Sequence, residues 1–196
     1  KAKITYAQAR DEVAKLAGGL TSLGLVKGDT AIIYMPMIPQ AIFFFFSCAR
    51  IGVVHSVVFG GFAPHELAIR INDCRPKAIL TATNGIEIKK VIPYKPYVDE
   101  AIDKATHKPE HVIIYDRNLG VEVKAKKYDI DYTTLLAQSE PAAPLVVNAS
   151  HPLYILYTSG TTGTPKGIVR DTGGYATALI SSMKHIYGVG AGEVYW

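Results

Sequence analysis

The residues best suited to chemistry in this 196-residue sequence lie together in one short segment, residues 157–167, which reads YTSGTTGTPKG. Its three glycines permit positive φ angles and close approach of the backbone to a ligand. Its hydroxyls and free N–H groups could surround phosphate oxygens, and Lys166 adds a compact positive charge. Residue type and spacing therefore predict a phosphate-binding loop.

This loop differs from two common nucleotide-binding patterns. Pro165 stands where the Walker A pattern GxxxxGK[ST] demands a glycine, and the GxGxxG dinucleotide fingerprint is absent. A cluster of Ser, Thr, Gly and Pro between two strands also fits a plain flexible connection. Composition alone therefore leaves both interpretations open, a phosphate loop and an ordinary hairpin connection.

The elements that must position this loop alternate along the chain. Helices are predicted after Thr5 as N-cap, from Pro39 onward, over residues 64–72 and over about 97–105, and strands over residues 30–34, 55–59, 78–81, 111–115 and 153–157. This alternation favours parallel strands joined by right-handed crossovers. The predicted fold class is α/β, with layered parallel or mixed sheets and flanking helices.

Two stretches near the loop carry further predictions. The strand at residues 153–157 is apolar on both faces, so a central place in its sheet is expected. The preceding residues 117–150 have no clear periodicity, and residues 141–144 read as a surface connector. No chemistry is assigned to that irregular stretch.

Composition narrows the possible functions. The chain has 21 Lys+Arg against 17 Asp+Glu, and this net charge of +4 is spread along the sequence, which argues against nucleic-acid binding. The most apolar run, residues 41–49, is far shorter than the roughly 20 residues of a membrane span. A folded domain with a buried core and anionic small-molecule ligands is therefore expected.

The cysteines and histidines suggest neither a disulfide framework nor a metal site. Cys48 and Cys74 stand alone in apolar stretches, as reduced buried thiols of an intracellular protein would. His107 and His111 are four residues apart, but Pro109 interrupts the helix that would place them on one face. No protein metal ligands are therefore predicted.

The order of residues in segment 157–167 resembles the signature of the adenylate-forming superfamily, which includes acyl-CoA synthetases, luciferases and peptide-synthetase adenylation domains. In that family the loop holds the β- and γ-phosphates of ATP while a carboxylate attacks the α-phosphate. The resemblance implies catalytic roles for Lys166 and Thr161. The phosphate contacts that it implies come from Thr158, Ser159, Gly160, Thr161, Thr162, Gly163, Lys166 and Gly167.

Other stretches narrow the resemblance. Residues 51–62, IGVVHSVVFGGF, look like the segment that acetyl- and propionyl-CoA synthetases carry, and the resemblance extends over essentially all 196 residues. Residues 170–175, RDTGGY, and residues 153–157, LYILY, look closer to propionyl-CoA synthetases, because acetyl-CoA synthetases more often have His-Thr in place of Arg-Asp. Propionate is therefore the expected acid, with acetate as the alternative.

Coenzyme A brings a 3′-phosphate and a diphosphate, so its site needs positive charge beside a groove that admits a narrow arm. Gly60 and Gly61 could admit the arm, although such a pair is more often an ordinary strand-to-helix turn. The resemblance also implies coenzyme A contacts from Glu87, Ile88, Lys89 and Lys90. Many acetyl-CoA synthetases have arginine in place of Glu87, so Lys90 would carry the charge; alternatively, the lysine pair is solvated surface.

The resemblance implies that residues 1–196 are a fragment of the large N-terminal AMP-binding domain. The adenine and Mg²⁺ motifs, the acyl pocket and the C-terminal lid with its catalytic lysine would follow residue 196. Such a fragment would be inactive alone, and its edge would expose apolar strand surface. The whole enzyme would use ATP, Mg²⁺, coenzyme A and propionate or acetate, in the cytoplasm or the mitochondrial matrix.

Three other functions remain to be distinguished from this ligase. A nucleotide-binding module would bind ATP without exchanging pyrophosphate, and a structural α/β domain would do neither. An adenylation domain that serves a carrier protein would exchange pyrophosphate without making an acyl-CoA. The segment at residues 51–62 argues against the carrier-protein function.

Overall fold

The computed structural model describes residues 3–87, 90–120, 123–158 and 165–195. The helices are α1 Tyr6–Ser22, α2 Pro39–Arg50, α3 Pro64–Cys74, α4 Tyr94–Lys104, α5 Tyr132–Gln138 and α6 Thr172–Ser182, the last continued by a π-helical turn Met183–Tyr187. The strands are β1 Thr30–Tyr34, β2 Val54–Val57, β3 Ala78–Ala82, β4 Gly85–Glu87, β5 Lys90–Ile92, β6 His111–Tyr115, β7 Asp129–Asp131, β8 Pro152–Thr158 and β9 Lys166–Asp171.

The main sheet has the strand order β7-β6-β3-β1-β2-β8-β9. Its strands run parallel, except that β9 is antiparallel to β8. Strands β4 and β5 form a separate antiparallel hairpin. The predicted α/β fold class is confirmed. The prediction that strand 153–157 is central is wrong, because β8 lies one strand from the edge and is only partly buried.

Helices cover both faces of the sheet, and neighbouring residues of β1 show which helix lies where. Ile33 packs with the apolar side chains of α1, α2 and α5 on one face. Ile32 packs with those of α3 and α4 on the other. Successive side chains of a strand point to opposite faces, so a strand buried on both faces reads as a continuous apolar run. The loops after β1 and β2 therefore lead to opposite faces of the sheet.

The helix starts follow from local sequence. Thr5 and Gln8 form a capping box at α1, with Gln8 N donating to Thr5 Oγ1 at 3.2 Å and Thr5 N donating to Gln8 Oε1 at 2.8 Å. Prolines occupy the first turns of α2 and α3, where a missing N–H costs no hydrogen bond. Helix α4 begins at Tyr94 rather than near residue 97, because Pro96 is likewise tolerated in its first turn.

Residues 117–150 are more regular than expected. They contain β7 and α5, which the lack of a long periodic pattern concealed. Asp131 caps α5 by accepting a hydrogen bond from Thr134 N at 2.6 Å, and Tyr132 donates to Glu12 Oε1 of α1 at 3.0 Å. Residues 141–144 contain neither helix nor strand, as predicted for a connector.

A buried lysine fixes α4 against the edge of the sheet. Lys95 has no exposed side-chain surface, and its Nζ lies 2.7 Å from Asp99 Oδ1 and 3.0 Å from Asp129 Oδ2 of β7. A charge this deeply buried is tolerated only when it is paired. The pairing holds the first turn of α4, and with it the neighbouring Tyr94, in one position.

Candidate functional site

The predicted phosphate loop connects β8 to β9. Thr158 pairs with Lys166 in the antiparallel register, so both lie at the carboxyl end of β8, and Lys166 is exposed. Gly167 pairs with Tyr157 one step further along. The other predicted phosphate-binding residues lie outside the described residues: Ser159, Gly160, Thr161, Thr162 and Gly163. The structure thus describes the two strands from which the loop leaves and returns.

The predicted coenzyme A glycines lie in a turn that follows β2, which we call the glycine turn, residues 59–62. Strand β2 ends at Val57, earlier than the predicted 55–59, so Phe59 belongs to the turn, where Phe62 N donates to Phe59 O at 3.1 Å. A Cβ on Gly60 would collide with the Tyr94 hydroxyl. Only glycine fits at Gly60 without displacing Tyr94.

The glycine turn and the phosphate loop follow strands that end at the same end of the sheet, the one formed by the carboxyl ends of the parallel strands. Strands β2 and β8 are parallel neighbours, with His55 opposite Tyr154, so their carboxyl ends lie side by side. The next strand, β1, leads to a helix on the opposite face from the helix that follows β2. In open α/β sheets, ligands bind in the crevice at the carboxyl ends where connections diverge in this way.

The third predicted segment lies on the β4–β5 hairpin, which follows β3 at this edge. Glu87 pairs with Lys90 across the hairpin, and Lys90 is exposed. Ile88 and Lys89 lie outside the described residues, and so does the side chain of Glu87. The structure therefore places the backbone of Glu87 and Lys90 on a hairpin whose position depends on the residues at its base.

Tyr94 connects the hairpin to the glycine turn, and sequence reasoning missed it. Its ring lies beside Gly85 at the base of the hairpin and beside Gly60 in the turn, where a Cβ on either glycine would meet it. It also contacts Tyr34, with ring centroids 5.4 Å apart, and the Tyr34 hydroxyl donates to Phe62 O at 2.6 Å. No sequence pattern marks Tyr94, because its partners are distant in the chain.

A second missed contact supports the start of the phosphate loop. The Tyr157 hydroxyl donates to Asp73 Oδ2 of α3 at 2.5 Å. Burial, together with this hydrogen bond, raises the pKa of Tyr157, so the phenol stays neutral and continues to donate. The last turn of α3 therefore contacts the strand that leads into the loop.

An apolar cavity of about 500 Å³ lies between α2, α6 and strands β2 and β8. His55 lines it, stacked on Phe45 with ring centroids 5.5 Å apart. Burial lowers the pKa of His55 to about 4, so the ring is neutral at ordinary pH. None of the predicted site residues that the structure describes lines this cavity.

The remaining side chains that could react, two cysteines and two histidines, are buried or lie in contact with backbone carbonyls. Cys48 and Cys74 are both buried, as predicted, and burial raises the pKa of each thiol, that of Cys74 to about 12. The Nε2 atoms of His107 and His111 lie 2.9 and 3.0 Å from the backbone carbonyls of Pro76 and Leu23. Within the described ranges, His, Cys, Asp and Glu form no group of three or more that could hold a metal ion.

No helix in the described part of the chain combines the length and apolar character that crossing a membrane requires.

Known proteins resemble this chain in sequence and in fold. The family model described as AMP-binding enzyme matches residues 1–196. Acyl-CoA synthetase short-chain family member 3, mitochondrial, of Bos taurus is 50% identical over all of this chain and 29% of its own length. Propionate–CoA ligase of Salmonella typhimurium is 48% identical over 98% of this chain and 31% of its own length.

A solved structure supports the fold assignment. Acetoacetyl-CoA synthetase from Streptomyces lividans superposes with a TM-score of 0.88 at 30% sequence identity, over 98% of this chain and 29% of that one. The chain thus spans about three tenths of the length of these relatives.

Proposed function

Because the chain belongs to the AMP-binding enzyme family, we propose that it is part of an AMP-forming ligase that joins a short-chain carboxylic acid, preferably propionate, to coenzyme A. The single observation that carries this proposal is geometric. The loop that resembles the ATP-phosphate loop and the turn that resembles a coenzyme A site leave adjacent parallel strands at one sheet edge. Such an arrangement suits two substrates, ATP and coenzyme A, that react in succession with the same carboxyl group.

The chain corresponds, in this proposal, to a fragment of the large N-terminal domain, residues 1–196. Its share of the relatives' length, 29–31%, supports this. The acyl pocket, the adenine site and the C-terminal lid would belong to the rest of the enzyme, so the fragment alone would be inactive. An intracellular location, in the cytoplasm or the mitochondrial matrix, stays a prediction.

In the first half-reaction, a carboxylate oxygen attacks the α-phosphorus of ATP, and the bond to pyrophosphate breaks. Catalysis of such a step is mostly positioning of the reactants and neutralisation of the leaving charge. Lys166 and the N–H groups of the loop, with Thr161 and its neighbours, would supply this stabilisation. Mg²⁺ would enter with ATP as part of the substrate, and no step here depends on protein ligands to it.

In the second half-reaction, the thiol sulfur of coenzyme A forms a bond to the acyl carbon, and the bond from that carbon to the AMP oxygen breaks. Gly60 and Gly61 would contact the pantetheine arm through their backbone, because Tyr94 and Phe59 fill the space that side chains at these positions would take. Lys90, exposed on the hairpin, would face the phosphates, with Lys89 beside it. Glu87, which pairs with Lys90 across the hairpin, is acidic and cannot attract a phosphate. The positive charge for an anionic ligand therefore falls to the lysines.

The acid is proposed from sequence. Residues 153–157 and 170–175 look closer to propionyl-CoA synthetases, and one relative is named for propionate. In the structure these two segments lie in β8 and at the junction of β9 with α6. Acetate is the alternative acid, because the acyl pocket itself would lie beyond residue 196.

The test is carboxylate-dependent exchange of pyrophosphate into ATP by the complete protein, with acetate, propionate and butyrate, followed by thioester formation with coenzyme A. Strongest exchange and thioester with propionate would support the proposal in full. A preference for acetate would keep the mechanism and change the acid. Exchange without thioester would indicate an adenylation domain, and ATP binding without exchange would indicate a nucleotide-binding module.

A further inference from the structure

Arg70 of α3 lies between the two segments to which the proposed function assigns substrates. Its guanidinium carbon is 4.5 Å from the centroid of the Phe62 ring in the glycine turn. It is 5.5 Å from the centroid of Tyr157, the residue before Thr158 at the start of the phosphate loop. The Arg70 side chain is only 5% exposed, which strengthens attraction between a cation and aromatic rings.

The guanidinium is held by its own helix. Arg70 Nη1 donates to the Glu66 carbonyl at 2.7 Å and to Glu66 Oε2 at 2.9 Å. The hydrogen bond to Arg70 holds the pKa of Glu66 below its ordinary value, so the Glu66 carboxylate is charged at neutral pH. Two bonds from one nitrogen to one residue restrict the orientation of the guanidinium relative to α3.

The same helix contacts the base of the phosphate loop a second time. Asp73, three residues after Arg70, accepts the hydrogen bond from the Tyr157 hydroxyl at 2.5 Å. Gly167, the partner of Tyr157 in the hairpin, lies against both residues: a Cβ on Gly167 would be 3.1 Å from the Tyr157 ring and 3.4 Å from Asp73 Oδ2. Helix α3 therefore contacts both strands from which the loop departs.

We propose that Arg70 is a positioning residue that couples the glycine turn to the strand leading into the phosphate loop, and thereby sets the coenzyme A arm relative to the bound adenylate. This inference rests on the proposed function. A buried ion pair with Glu66 is weak evidence for a role in stability, since apolar residues of similar volume commonly serve as well. The two rings beside the cation belong to the two substrate segments, which are distant in the chain.

The test compares Arg70→Gln and Arg70→Lys in the complete enzyme, with the KM for coenzyme A measured in thioester formation. Arg70→Gln should raise this KM about tenfold, because the Phe62 ring loses the cation that positions it. Arg70→Lys keeps the charge without the planar fork and should raise it only about threefold. The double variant Phe62→Leu with Arg70→Gln should be no worse than Arg70→Gln alone.

Ser47→Ala is the matched control. Ser47 is a buried hydroxyl on α2, at the opposite face, and donates to Phe43 O at 2.7 Å and Val13 O at 3.0 Å. It should lower thermal stability without changing the KM for coenzyme A. A KM in Arg70→Gln within about twofold of wild type, or multiplicative effects of Phe62→Leu and Arg70→Gln, would overturn the coupling.

Failure of the proposed function would appear separately, as a wild-type enzyme that makes no thioester. If Arg70→Gln does not fold, Arg70→Lys decides the question. A KM for coenzyme A equal to that of wild type in Arg70→Lys would then overturn the coupling.

Discussion

The central strands of the main sheet and its β9 edge differ in how deeply the described residues bury them. All five residues of β3 are buried, and so are four of the five residues of β1. By contrast, all six residues of β9 are exposed, and α6 has no buried residue. The glycine turn therefore stands on a packed core, whereas the phosphate loop stands on strands that the described chain covers poorly. The two proposed substrate segments therefore differ in how well the strands that precede them are packed.

Strand β8 is attached to the packed core by its pairing with β2, by apolar contacts of Ile155 and Tyr157, and by a few polar contacts. Ser56 Oγ of β2 donates to Ile155 O at 2.9 Å, and Tyr157 donates to Asp73. At the start of the strand, His151 Nε2 lies 2.8 Å from Gly52 O. The proposal that residues 1–196 belong to a longer enzyme accounts for this difference, because further chain would then cover β9 and α6.

The largest expected difference in stability is between the packed core and α6. Phe44 is fully buried against α1, so Phe44→Ala should lower the free energy of unfolding by about 3–5 kcal/mol. Ile180 of α6 is 71% exposed, and Ile180→Ala should change it by less than about 0.5 kcal/mol. Urea unfolding of the 196-residue chain measures both. Equal losses would show that the two regions do not differ as described.

The free energy of unfolding should depend on pH through His55, which lies on β2 opposite Tyr154 of β8. Its pKa falls from 6.5 to about 4 because the ring is buried. Below pH 6.5 the unfolded chain therefore binds a proton that the folded chain does not bind until about pH 4. The free energy of unfolding should fall across this window as pH decreases, by on the order of 3 kcal/mol, and should be unaffected above it.

The variant His55→Phe isolates this effect. Phenylalanine keeps a ring next to Phe45 and Tyr154 and removes the titration. Urea unfolding at pH 7, 6 and 5 should show a shallower loss of stability in the variant than in wild type. Parallel pH profiles would mean that His55 does not cause the acid sensitivity.

The smallest of the expected differences between the packed core and the exposed strands concerns the attachment of β8. Ser56→Ala removes the hydroxyl that donates to Ile155 O, a loss of about 1 kcal/mol. Amide hydrogens of β8 and β9 should then exchange about fivefold faster, while those of β1 keep their wild-type rates. Ser47→Ala is the matched control, because its hydroxyl joins α2 to α1. Faster exchange of β8 and β9 in that control would contradict a local effect.

Local patterns predicted much of the fold. The N-cap at Thr5, the proline starts of α2 and α3, and the apolar runs of β1, β3 and β6 each follow from neighbours in sequence. The position of β8 does not, because a strand's place in a sheet depends on pairing with distant segments. Helix α5 was not predicted because its seven residues are too few to show a periodic pattern.

The candidate site likewise contains some residues that the sequence indicated and others that only the structure revealed. Residue type and spacing pointed to Lys166, whereas Gly60 and Lys90 were indicated by the resemblance to acyl-CoA synthetases. Tyr94 and Arg70 act through contacts with residues far away in the chain, so no spacing marks them. Tertiary structure was needed to find the side chains that hold the site together.

The central claim, that the two segments serve successive halves of one reaction, is tested most directly by assaying both halves in Lys166→Ala and Gly60→Ala of the complete enzyme. Lys166→Ala should lower propionate-dependent pyrophosphate exchange by roughly 100-fold or more, without a matching loss of stability. Gly60→Ala, which displaces Tyr94, should retain exchange and lose most thioester formation. Intact exchange in Lys166→Ala, or equal loss of both half-reactions in Gly60→Ala, would contradict the account.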